Sequence, residues 1–109
     1  MNTATTTELN YANHYGWSDV NPYEIVRRVS EKTLEVRAMA ATPKGTNLKF
    51  EVGGFCAHCT NQNEQEWEIF SDPSRPVIRI RLGKSGWKDA RGNRFQLAAA
   101  PRKFYDYNF

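Results

Sequence analysis

Groups that carry chemistry are scarce in this chain. Its 109 residues include two cysteines and two histidines, and no catalytic triad, carboxylate pair or glycine-rich phosphate loop can be assembled from its motifs. Catalysis therefore has little to rest on, and no cofactor is expected. Long apolar runs are missing too. Nothing approaches the roughly 20 residues of a membrane span, and the Thr-rich start has neither the basic nor the apolar region of a secretion signal. The expected setting is the cytoplasm, with no membrane contact. A long helical period is also lacking, which leaves strands as the building material.

What the chain has in quantity is large apolar rings: six Phe, five Tyr and three Trp. Rings of this size let a short chain bury much area with few residues, so one domain can close a core without obligatory disulfides or metals. Residues 1–9 lack both apolar periods and read as a flexible tail, leaving 10–109 as a single β domain.

Alternation of apolar and polar residues marks the strands. Leu34, Val36 and Ala38 alternate with Thr33, Glu35 and Arg37. Ile78, Ile80 and Leu82 alternate with Arg79 and Arg81, which should face outward. Residues 22–29 pair with 33–39 as a hairpin, with a helix over 22–30 as the alternative. Further strands fall near 10–17, 48–52, 63–70, 87–89 and 94–97, separated by turns at 18–22, 42–47, 71–76, 83–86 and 90–93. The aromatic stretch 104–109 is expected to dock into the sheet. Short strands about ten residues apart predict an all-β fold, a small antiparallel barrel of the SH3-like kind or a compact sandwich. The expected core is Leu34, Val36, Phe50, Trp67, Ile69, Ile78, Ile80 and Leu82.

Two stretches are candidates for function. The first is Gly53-Gly54-Phe55-Cys56-Ala57-His58-Cys59-Thr60-Asn61-Gln62. A zinc site needs four ligands, and the chain offers Cys56, Cys59, His58 and the distant His14, with His58 inside the very loop that would close on the ion. A redox pair wants a helix N-terminus in a βαβ setting that is missing here. A Cys59/His58 nucleophile pair suffers because neighbours on a strand point to opposite faces. Buried thiols with a hydrogen-bonded histidine are the preferred reading. His58, Asn61 and Gln62 remain candidates for reading a ligand's polar edge, although amides at an irregular loop more often satisfy backbone.

The second stretch is basic. Residues 1–74 hold six Lys/Arg against ten Asp/Glu, whereas residues 75–109 hold nine against two. Arg79, Arg81, Lys84, Lys88, Arg91 and Arg94 fall close together around Trp87. Cations interleaved with a ring are what a single-stranded nucleic acid needs, since the cations hold phosphates while a ring stacks a base. The competing reading makes Trp87 a core residue and the cations ordinary surface.

Three stretches, Tyr15-Gly16-Trp17-Ser18-Asp19…Pro22-Tyr23, Gly53-Gly54-Phe55…His58-Cys59-Thr60-Asn61-Gln62…Gln65-Glu66-Trp67, and Lys103-Phe104-Tyr105-Asp106-Tyr107-Asn108-Phe109, together resemble a group of small phage and prophage proteins. The resemblance spans most of residues 15–109. It implies a phage origin, and a protein that binds host machinery within the host cell, for instance as an inhibitor of CRISPR or another defence. It also implies that Ser can replace Cys56, and it carries over no catalytic residue. The expected function is thus a non-catalytic binding module on a host protein or protein–nucleic acid complex. The alternatives are a nucleic-acid-binding barrel using the basic face, and a small zinc- or cysteine-dependent enzyme.

Overall fold

Within the described residues the alternating segments form antiparallel strands, while Val20, Asn21, Thr42 and Pro43, expected in turns, belong to strands as well. The computed structural model describes residues 9–44, 50–53, 56–59 and 65–105, with 50–53 and 56–59 described by their backbone. The strands are β1 (Tyr11–Tyr15), β2 (Val20–Asn21), β3 (Tyr23–Ser30), β4 (Thr33–Ala38), β5 (Ala40–Pro43), β6 (Phe50–Gly53), β7 (Cys56–Cys59), β8 (Trp67–Phe70), β9 (Val77–Gly83), β10 (Gly86–Lys88) and β11 (Arg94–Ala98). Among the described residues there is no helix, so the helical alternative for 22–30 gives way to β3.

Six strands run in the order β11-β10-β9-β4-β3-β1, and β11 pairs again with β1. That last pairing closes an antiparallel barrel. It joins Tyr11–Tyr15 to Arg94–Ala98 in register, with Ala12 opposite Leu97 and His14 opposite Phe95. Closure removes the open edges that a sheet of this size would otherwise leave unpaired. β2 extends the sheet beside β1. Two further pairs stand apart from it: β5 with β8, and β6 with β7.

The barrel interior is filled by Ala12, Leu34, Val36, Ile80 and Phe95, with Tyr23, Ile25, Ile78, Trp87 and Leu97 packed around them. Leu34 lies opposite Ile80 and Val36 opposite Ile78, so the alternation in β4 and β9 delivers their apolar faces to the same space. Four of the expected core residues, Leu34, Val36, Ile78 and Ile80, meet here. The others need correction. Leu82 is 39% exposed at the end of β9, and Trp67 and Ile69 lie on β8 in the separate β5–β8 pair. The side chain of Phe50 lies outside the described residues.

Two irregularities in the β3–β4 ladder explain why the apolar pattern of β3 is broken. Ile25 pairs with Val36 and Arg27 with Glu35, which leaves Val26 as an extra residue; Arg28 pairs with Leu34 and Ser30 with Thr33, which leaves Val29 as another. Each bulge shifts the side-chain phase by one position. Both extra valines are exposed. Pro43, expected in a turn, instead ends β5. It sits opposite Trp67, and an edge strand of a two-stranded pair tolerates a residue without an N–H.

The C-terminal segment crosses the outside of β1 and ties the pieces together. Asn13 is buried; its Nδ2 donates to the Ala100 carbonyl at 3.2 Å and its Oδ1 accepts from the Arg102 N–H at 2.9 Å. Val20 and Phe104 exchange two backbone bonds of 2.9 Å, so the expected docking of the aromatic terminus holds at Phe104. Beyond it, the Gln65 side chain donates to the Tyr105 carbonyl and accepts from the Tyr105 N–H and the Trp67 indole. Asn13→Ala should cost about 1–3 kcal/mol, because the Ala100 carbonyl and Arg102 N–H would lose their partner in a partly buried place. Chemical denaturation of the variant measures it, and an unchanged midpoint would mean that the strap does not hold the barrel.

Candidate polyanion-binding face

Inward Ile80, Trp87 and Phe95 imply outward neighbours, and three of those neighbours are cations in a line. Arg81 on β9 lies opposite Lys88 on β10, and Lys88 lies opposite Arg94 on β11. The row continues to Thr33 beyond Arg81 and to Tyr15 beyond Arg94. Adjacent strands are about 4.8 Å apart, so the three cationic positions span roughly 10 Å. Like charges placed directly opposite one another destabilise a sheet. Among the described residues, no carboxylate forms an ion pair with Arg81, Lys88 or Arg94.

Two acids beside the row, Glu35 and Asp89, are already engaged. Arg79, two residues before Arg81 on the same face, donates to Glu35 at 2.8 Å. Arg27 approaches the other oxygen of Glu35 at 3.9 Å. The hydrogen bond from Arg79 holds the Glu35 carboxyl below its ordinary value, with the charges of Arg27 and Arg79 adding to the effect. Asp89, next to Lys88, is turned into its own loop. Its carboxylate accepts from the Arg91 N–H, the Asn93 N–H and the Asn93 amide, each at 2.9 Å. Partial burial opposes the Asp89 charge, but these bonds and the nearby His14 outweigh it and lower its pKa.

A shallow depression of about 420 Å³ lies beside the row, bordered by Arg79, Arg81, Lys88, Ser85 and the acidic Asp89. Its cause is local. Gly83 lies opposite Gly86, so the position next along the outer face has no side chain on either strand. Gly86, the first residue of β10 after the Lys84-Ser85 connection, has φ +102°, a left-handed conformation that glycine adopts freely.

Of the basic residues singled out in the sequence, the fold thus lines up Arg81, Lys88 and Arg94 and places Arg79 beside them in an ion pair. Lys84 sits at the tip of the β9–β10 hairpin and Arg91 in the turn after β10, so they flank opposite ends of that strand. Trp87 takes the second of its two readings. It is half-buried against the barrel core, opposite Leu82 and Phe95. His58 lies in β7, opposite Glu51 by backbone register; its side chain, and Asn61 and Gln62 entirely, lie outside the described residues. His14 is packed against Phe95 and Tyr23, with ring centroids 5.3 and 6.2 Å away.

The sequence reading missed Trp17 and Tyr15. Trp17 is 89% exposed and borders a recess with Gly92, Asn93 and Arg94 at the end of the cation row. Arg102 Nη1 lies 3.5 Å from the Tyr15 hydroxyl. The signal was available in Tyr15-Gly16-Trp17, where rings run straight into turn chemistry instead of alternating with polar residues.

Three acids with lowered pKa values set an expectation for pH. Hydrogen bonds from Ser74 lead the causes that hold Asp72 below the ordinary 3.8, and Asp89 and Glu35 are lowered as well. The unfolded chain therefore takes up protons at higher pH than the folded one. Stability should be fully present above the ordinary values of 3.8 for Asp and 4.5 for Glu and be lost as pH falls through the lower folded values. Thermal melts across this range read it, and Asp89→Asn should flatten the dependence; an identical pH profile for that variant would remove Asp89 from the account.

Comparison of the chain with protein-family models, curated proteins and solved structures finds no match.

Proposed function

We propose that the protein is a non-catalytic binding module whose outer β9–β10–β11 face engages nucleic acid. The observation supporting this is the Arg81–Lys88–Arg94 row, three cations stacked side by side with no carboxylate ion-paired to them among the described residues. Such a row costs folding energy and is relieved when a polyanion supplies the missing negative charge. Neighbouring acids support the reading because they are engaged elsewhere, Glu35 by arginines and Asp89 by its own turn. The broader expectation of a module acting on host machinery takes a concrete form here, with the nucleic acid, free or within a host complex, as the contacted component.

Binding of a labelled polynucleotide at increasing salt tests the reading. Affinity should fall steeply, because every phosphate neutralised by Lys or Arg releases condensed counterions. No detectable binding at low salt would end it and leave a protein partner as the reading to pursue.

A further inference from the structure

Nothing among the described residues accounts for the exposure of Trp17. Its indole is 89% exposed, the highest value among the large apolar residues exposed in the described structure, although a ring of this size ordinarily contributes to a core. The backbone beneath it is nevertheless fixed. Tyr15 pairs with Val20 across the turn, and the Gly16 N–H bonds to the Asp19 carbonyl at 2.9 Å. The ring is therefore carried by a closed, tied turn.

Its position matters more than its exposure. Tyr15 follows Arg94 in the cross-strand row, so the turn that begins at Gly16 leaves the barrel at the end of the cation line. The recess between the turns holds about 440 Å³ and is bordered by Trp17 on one side and Gly92, Asn93 and Arg94 on the other. Gly92, with φ +86°, has nothing within 4 Å of where a Cβ would stand, which keeps that wall low. A cation row running into an open slot beside an indole is the arrangement that holds a backbone and accepts one of its bases. In a duplex the base faces are already stacked on one another, so the ring has a partner only when the strand is single.

We propose that the ligand of this face is a single-stranded polynucleotide, with its phosphates along Arg81, Lys88 and Arg94 and a base stacked on Trp17 in the Gly92–Arg94 recess. The proposal rests on the nucleic-acid reading above and deepens it.

Fluorescence anisotropy on four ligands tests it: oligothymidylate and oligouridylate of about twelve residues, an abasic strand of the same length, and a duplex. Trp17→Ala should weaken binding of both single strands about 5- to 150-fold, the loss of one base–ring stack. Trp17→Phe should restore most of it. The abasic strand and the duplex should bind the wild-type protein and Trp17→Ala equally, and the melting temperature should not change, since Trp17 is almost fully exposed. Equal affinity of Trp17→Ala and wild type for the single strands would overturn the stacking proposal, as would an equal loss on the abasic strand. Absence of wild-type binding to all four ligands at low salt is a different result, and it would remove the nucleic-acid reading itself.

Discussion

Ile80→Ala will lower the stability of the barrel by about 2–5 kcal/mol. Ile80 has no solvent exposure and lies in the middle of β9, opposite Leu34 and within the cluster that includes Ala12, Val36 and Phe95. Truncation removes apolar atoms from that cluster and leaves a hole. Six strands hydrogen-bonded into a closed ring cannot draw together to fill it, so the cost should come from the upper part of the range. The same change at Leu82, two residues along the same face but 39% exposed, should cost clearly less. Urea unfolding of both variants measures the difference, with an unchanged dependence on denaturant showing that the native barrel persists. A loss at Ile80 below about half a kcal/mol would put the wrong face of β9 inside.

That contrast also shows what local pattern can convey. Alternation in β4 and β9 identifies their apolar faces because each strand has one wet side, and the pairing of Leu34 with Ile80 follows once the two strands meet. Alternation carries no information about what the face packs against. Trp67 and Ile69 repeat the same signature, yet β8 pairs with β5 in a separate two-stranded sheet. Barrel closure lies further out of reach. It depends on Tyr11–Tyr15 meeting Arg94–Ala98, and neither the lengths of the intervening loops nor the period of either strand dictates that encounter. The bulges at Val26 and Val29 are hidden for a related reason, since a bulge reads as a broken pattern until its partner strand is known.

The basic face shows the same division. An excess of Lys and Arg after residue 75 is plain in the sequence, and so is the outward phase of Arg79 and Arg81. Which of these residues stand side by side is set by cross-strand register. Arg81 and Arg94 are thirteen positions apart and become next-but-one neighbours through Lys88, while Arg79, nearer in sequence to Arg81, is drawn into a pair with Glu35. The two tryptophans differ in placement for similar reasons. Trp87 sits among the cations in sequence and faces the core in space, because neighbours on a strand point to opposite sides. Trp17 lies far from them in sequence and is brought to their edge by the β1–β11 pairing that closes the barrel.

Replacing Arg81, Lys88 and Arg94 together by Gln should separate the needs of the fold from those of binding. Glutamine keeps part of each stem over the sheet and removes the charge. If each cation contacts one phosphate, the slope of log affinity against log salt should flatten by about 2 for single strands, at roughly 0.7 per contact. Between 50 and 200 mM salt, the wild-type protein should then lose about 20-fold more affinity than the variant. Stability should move the other way. Two opposed like-charge pairs disappear, each worth about 0.2–1 kcal/mol, so the variant should melt higher at low ionic strength, and the gain should shrink as salt screens the repulsion. Arg79→Gln is the matched control, because it breaks a pair with Glu35 and should leave most of the salt slope in place. A triple variant with the wild-type slope would show that the row does not touch phosphate, and one that melts lower would show that these cations serve the fold.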